Sequence, residues 1–181
     1  MTETIRTRSA LDGAPSLFQT KNDLPAPTRS VVTRLLNARL ADCIDLQTMC
    51  KQAHWNVKGP QFVSLHKLFD EINEDVAEHV DLVAERIVAL GGTAEGTARV
   101  VAQRTTLLVY PLAISAGHEH VAALSDVLAQ FGRSVRIGIA EMNELEDAVS
   151  ADILTEICRG IDKWLWFVEA HAQDDRGTAA D

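Results

Sequence analysis

His54-Trp55-Asn56-Val57-Lys58-Gly59-Pro60, continuing through Leu65-His66-Lys67-Leu68-Phe69-Asp70 to Val80-Asp81-Leu82-Val83-Ala84-Glu85, is the stretch that decides the fold. Past the Gly59-Pro60 break, Phe62, Leu65, Phe69, Ile72, Val76, Val80, Val83, Ile87 and Leu90 recur at three- and four-residue intervals. That is the period of an amphipathic helix. Before the break, Val31, Leu35, Cys43, Ile44, Met49, Cys50 and Val57 recur at three, four and seven. They predict an earlier helix opening at Pro27-Thr28-Arg29-Ser30, with Thr28 or Ser30 as its cap. A turn as tight as Gly59-Pro60 makes the two helices antiparallel.

Gly91-Gly92 stops the second helix. Residues 93–113 then form a connection with a short apolar turn at Val100-Val101 and a break at Pro111. A third helix is expected from about Ser115 to Asn143, through Val121, Leu124, Val127, Leu128, Phe131, Val135 and Ile139. A fourth is expected from about Ser150 to His171, through Ile153, Leu154, Ile157, Ile161, Trp164, Leu165 and Val168. Four long amphipathic helices without a strand indicate an all-α four-helix bundle. The connection between helices two and three is long enough to cross the bundle, which would leave those two helices parallel.

The chain has 181 residues, 46% of them hydrophobic and 24% charged, enough for one domain with a real core. Residues 1–27 lack periodicity and read as a flexible tail, 28–173 as the bundle, and 174–181 as a short acidic tail. The net charge is −9. Against it stand Arg6, Arg8, Lys21 and Arg29 near the N-terminus, diluted by Glu3, Asp12 and Asp23. An acidic body opposes non-specific nucleic-acid binding and attracts cations. No apolar run reaches membrane-spanning length, and no basic-then-apolar leader opens the chain. Cys43, Cys50 and Cys158 make an odd count without CxxC spacing, so reduced packing thiols in a cytoplasmic protein are expected.

Within the opening stretch, His54, His66, Asp70, Asp81 and Glu85 supply two imidazoles and three carboxylates, a set suited to iron or another first-row metal. On the second helix, His66, Asp70, Glu74, Asp81 and Glu85 fall within an arc of about 100°. Asp70 and Asp81 are nevertheless roughly 16 Å apart along the axis, whereas carboxylate–metal bonds are about 2 Å long. One metal cannot join them. His66–Asp70 and Asp81–Glu85 are each i,i+4 pairs, so each forms a half-site. A second copy of the helix, antiparallel about an axis near Asp75–Val76, would pair each half with its complement. The turn folds His54 back toward His66.

His54-Trp55-Asn56-Val57-Lys58-Gly59 with Leu65-His66-Lys67-Leu68-Phe69-Asp70 resembles the first signature of the Dps family, the ferritin-like mini-ferritins. Val80-Asp81-Leu82-Val83-Ala84-Glu85-Arg86 with Leu90-Gly91 resembles the second. Tyr110-Pro111-Leu112 and Asp162-Lys163-Trp164-Leu165-Trp166-Phe167 also fit family patterns, so the resemblance spans roughly residues 28–172. It implies a ferritin-like bundle assembled as a hollow dodecamer, with ferroxidase centres between subunits. His54, His66 and Asp70 would come from one chain, and Asp81 and Glu85 from its partner. It implies oxidation of Fe(II) to Fe(III) by hydrogen peroxide or oxygen, with ferric mineral stored inside. It also implies a tryptophan, here Trp55, that intercepts radicals beside the centre.

The alternative function is nucleoid-associated DNA binding through the N-terminal tail. In the acidic run Glu141, Glu144, Glu146, Asp147 and Asp152, the resemblance suggests Asp147 or Asp152 as pore residues for iron entry. Glu74 and Glu78 lie near the ligand stripe. His118, Glu119 and His120 point to different helix faces and do not suggest a shared metal. His79 and His171 carry no assigned role.

Overall fold

The computed structural model describes residues 17–173. Five helices follow in order: α1 Ala26–Asn56, α2 Phe62–Ala89, α3 Ala98–Arg104, α4 Gly117–Glu144 and α5 Ala148–Glu169. Four are long and α3 is a single short piece, where the apolar turn at Val100-Val101 was expected. Among the described residues there is no strand, only an isolated bridge between Lys58 and Ala116.

α1 packs chiefly on α2 and α4 chiefly on α5, and the two hairpins meet across a common core. Phe69, Phe131, Leu36, Leu65, Ile72 and Leu124 are fully enclosed there. Each such side chain contributes about 1.5–3 kcal/mol of transfer free energy. The stripes read for α2, α4 and α5 are largely the buried ones, although Phe62 is 43% exposed. Of the stripe read for α1, Cys43, Met49, Cys50 and Val57 are buried, but the rest of it is displaced. Val31, Leu35 and Ile44 are half-buried, while Val32, Leu36, Leu40, Cys43, Leu46 and Cys50 fill the core. The reason is that α1 is covered on several sides, by α2, α3 and α4. It therefore buries Thr33, Asn37 and Asp42 as well, and apolar periodicity alone mistakes its inner face.

Neither Thr28 nor Ser30 caps α1. The helix begins at Ala26, after Pro25, and no side chain caps it. Pro27 sits in its first turn, where a missing N–H costs nothing. Of the expected N-terminal tail, residues 17–25 lie against the end of α2. Phe18 N–H donates to Gly91 O at 2.7 Å. Buried Arg29 donates to Leu90 O at 2.8 Å and to Leu24 O at 3.0 Å, satisfying a carbonyl the helix end leaves open. Gly91 ends α2 at φ +86°, and a Cβ there would stand 2.5 Å from Phe18 O. Arg6, Arg8, Asp174, Asp175, Arg176 and Asp181 lie outside the described residues.

The crossover runs the length of the bundle. Gly92 lies against Thr33 near the start of α1, whereas Gly117 lies against Leu65 at the start of α2. α4 therefore starts at the same end as α2, and the two run parallel. The crossover is fastened to α1 through three of its side chains. Glu95 N–H donates to Asn37 Oδ1 at 2.9 Å, Thr106 N–H to Asp42 Oδ1 at 2.8 Å, and Thr105 Oγ1 to Asp45 Oδ2 at 2.7 Å. Fully buried Asp42 also pairs with Arg39 at 3.2 Å. Leu108 N–H donates to Gln130 Oε1 at 2.9 Å, tying the strap to α4.

Candidate metal centre

α1 ends in the turn that carries His54. Lys58 N–H donates not to His54 O but across to Ser115 O, at 2.8 Å. His54 O is thereby free, and His66 Nδ1 reaches it at 2.8 Å. The contact is reciprocal, with His54 Nδ1 2.7 Å from His66 O. A carbonyl only accepts, so both Nδ1 atoms carry the proton. In the neutral imidazole each Nε2 is then a lone pair, the form in which the ring binds a metal. The two rings stack with centroids 3.7 Å apart and planes 20° apart, so they are held as a unit.

Asp70 stands one turn beyond His66, its Oδ1 3.9 Å from His54 Nδ1. Lys51, one turn before His54, donates to Asp70 Oδ1. That bond, with the nearby His54, Lys51 and His66, holds the Asp70 carboxyl below its usual range despite partial burial. Asp70 is thus an anion with its countercharge in place. Spacing within one helix could not reveal Lys51, because its role depends on how α1 and α2 are registered.

Asp81 and Glu85 are elsewhere. They lie on the exposed face of α2 with no ion-pair partner among the described residues, and Glu74 is likewise exposed. No group of three or more His, Cys, Asp or Glu side chains converges into a metal-holding cluster within the described residues. One chain thus brings His54, His66 and Asp70 into one neighbourhood and leaves Asp81 and Glu85 apart. Trp55, 66% exposed, looks into a pocket of about 600 Å³ that Lys51, Gln52, Thr105, Leu107 and Tyr110 also line.

Asp147 is turned inward. It is 2% exposed, accepts from Ser150 N–H at 3.0 Å and Ser150 Oγ at 2.6 Å, and pairs with Arg86 at 2.7 Å. It caps α5. Asp152 is exposed. His118, Glu119 and His120 separate as expected: His118 is exposed, and His120 is buried against Tyr110. Glu119 accepts from the Ser115 and Ala116 N–H groups, which lower its pKa. His79 is buried with Nε2 3.6 Å from Asp75 Oδ2, and burial lowers its pKa. His171 is exposed, and its ring nitrogen bonds Phe167 O at 2.8 Å. All three cysteines are free and buried, and burial pushes the Cys50 thiol up to about 12, which makes it unreactive.

Residues 33–178 match the family described as the ferritin-like domain. The chain is 44% identical over 156 residues to the DNA protection during starvation protein of Agrobacterium fabrum, covering 86% of this chain and 96% of that one. Among solved structures it is similar to the Dps of Mycobacterium smegmatis in its tetragonal form. There the TM-score is 0.84 at 32% identity, over 90% of this chain and 98% of the other. DpsA14 from Streptomyces coelicolor superposes with a TM-score of 0.85 at 28% identity, over 93% and 100% of the two chains. Motifs, crossover bundle and likeness agree: the chain belongs to the Dps family of ferritin-like proteins.

Proposed function

We propose that the protein is a ferroxidase and iron store, built from copies of this chain, that protects against oxidative damage by oxidising Fe(II) with hydrogen peroxide. The observation that carries the reading is the reciprocal locking of His54 and His66 through their Nδ1 atoms, which leaves both Nε2 atoms out of that contact beside an ionised Asp70. A second chain, antiparallel along α2, would add Asp81 and Glu85. Their exposure within one chain is what a site completed by a partner requires. Family membership supports closure of such pairs into a hollow dodecamer, with ferric mineral inside.

In this reading Fe(II) is the substrate. Imidazole nitrogens and carboxylate oxygens suit it, and the carboxylates favour the ferric product. Two Fe(II) ions give up one electron each to a peroxide, which takes two protons and leaves as two waters. Lys51 holds Asp70 until a metal displaces it, and Trp55 at the pocket rim is placed to intercept stray oxidants. The acidic charge supports protection by removing Fe(II) and peroxide rather than by coating DNA.

Complementation tests the shared centre. His66→Ala and Asp81→Ala proteins should each lose rapid Fe(II) oxidation, followed as ferric absorbance after anaerobic loading and peroxide. Mixed and allowed to exchange, they should regain part of it, because each mixed pair holds one centre with all its ligands. No recovery, with exchange verified by native mass, would reject the shared site.

A further inference from the structure

The chain contains a single tyrosine. Tyr110, at the end of the crossover, is 6% exposed, and its hydroxyl lies 2.7 Å from Nδ1 of His120, itself 1% exposed. The rings lie 20° from parallel with centroids 6.1 Å apart, and Phe69 closes the other side of the imidazole at 6.4 Å. His120 Nε2 is enclosed without a hydrogen-bond partner among the described residues. Tyr110 also lines the pocket shared by Trp55 and by Lys51, which holds Asp70.

A fastening for the crossover needs a hydrogen bond, but it needs neither a base in an apolar enclosure nor a wall on the pocket. Burial drives the Tyr110 pKa up and the His120 pKa down, so phenol and imidazole are both neutral at rest. A buried phenol cannot lose its proton to water, and on losing an electron it must give the proton to a base within hydrogen-bond reach. His120 Nδ1 is that base.

We infer that Tyr110 and His120 form a redox pair that donates an electron to one-electron oxidants reaching the pocket and returns it from Fe(II). In the first step Tyr110 loses an electron and its O–H bond breaks. The proton forms an N–H bond at His120 Nδ1, and the electron reduces a hydroxyl radical to hydroxide. In the second step Fe(II) gives one electron to the phenoxyl radical and becomes Fe(III). The proton then moves back from His120, and both residues are restored. The sum is one Fe(II) oxidised for each radical removed. The source of that radical, iron meeting peroxide, rests on the function proposed above; the pair itself does not.

The test therefore begins without iron. Iron-free full-length protein is flashed with ruthenium tris-bipyridine and a cobalt(III) hexaammine quencher, and the optical and EPR signals of a neutral tyrosyl radical are followed. The wild type should give that radical, more slowly in D₂O. Tyr110→Phe should give none, and with no other tyrosine the assignment is unambiguous. His120→Leu should slow its formation roughly a hundredfold, the low end of what a positioned base contributes. Tryptophanyl radical alone in the wild type would overturn the inference. So would a rate indifferent to deuterium, a measurement that decides the matter even if His120→Leu does not fold. Ferric absorbance after Fe(II) and peroxide is recorded on the same preparation. Ferric product without a photogenerated tyrosyl radical sinks the pair alone; the radical without ferric product upholds the pair and sinks the ferroxidase reading alone.

Discussion

Burial keeps the His120 imidazole neutral, and this has a consequence for acid stability. An unfolded histidine takes up its proton near its ordinary pKa of about 6.5. The native His120 does so only at lower pH, because charging it means charging an enclosed ring. In that window the unfolded state binds more protons, so stability rises with pH and is lost as pH falls through the ordinary value. The urea midpoint should drop on acidification from about pH 7 to about pH 5. His120→Leu should flatten that dependence, and an unchanged slope would place the effect on other groups. At this scale the proximity of the candidate residues was readable before the structure: the turn brings His54 beside His66, with Asp70 one helical turn on. Their electrostatic partners were not, because Lys51 meets Asp70 only through the packing of one helix on another.

Elements that bury one face were read from periodicity alone, and those that bury more were not. α2, α4 and α5 present a single apolar stripe, and their extents differ from expectation by a few residues. α1 is enclosed on several sides and conceals its inner face behind buried Thr33, Asn37 and Asp42. Asp147 illustrates the same limit. In sequence it is one acid among several, whereas in the fold it caps α5 and neutralises half-buried Arg86. Asp147→Ala should cost about 3–5 kcal/mol in chemical denaturation, because the Arg86 charge is left enclosed and unpaired. Exposed Asp152→Ala should stay within about 0.5 kcal/mol of the parent. Equal effects would remove Asp147 from its place in the fold's energetics.

For the whole molecule, spacing was the strongest reading. His66 and Asp70 lie roughly 16 Å or more along α2 from Asp81 and Glu85, too far for one ion to reach both pairs. Charge is the second whole-molecule property. At −9 per chain, an assembly repels a phosphate backbone over its surface. The intact protein should not retard duplex DNA in a low-salt gel. Retardation by the intact protein but not by one lacking residues 1–16 would instead assign DNA binding to that segment. Among the described residues no helix is long and apolar enough to cross a membrane.

The strap between α2 and α4 also bears on the order in which the chain folds. α1 and α2 are joined through residues 57–61, and α4 and α5 through residues 145–147, so each hairpin is a local unit. Local pairs form early because little chain must be closed to make them. The two hairpins are joined through residues 90–116, a much longer closure whose entropic penalty nonetheless grows only slowly with length. Asn37, Asp42 and Asp45 offset that penalty with hydrogen bonds that hold the strap along α1. The strap thus acts as a guide rail, bringing α4 onto a finished α1–α2 hairpin at the end where His54 and His66 already face each other.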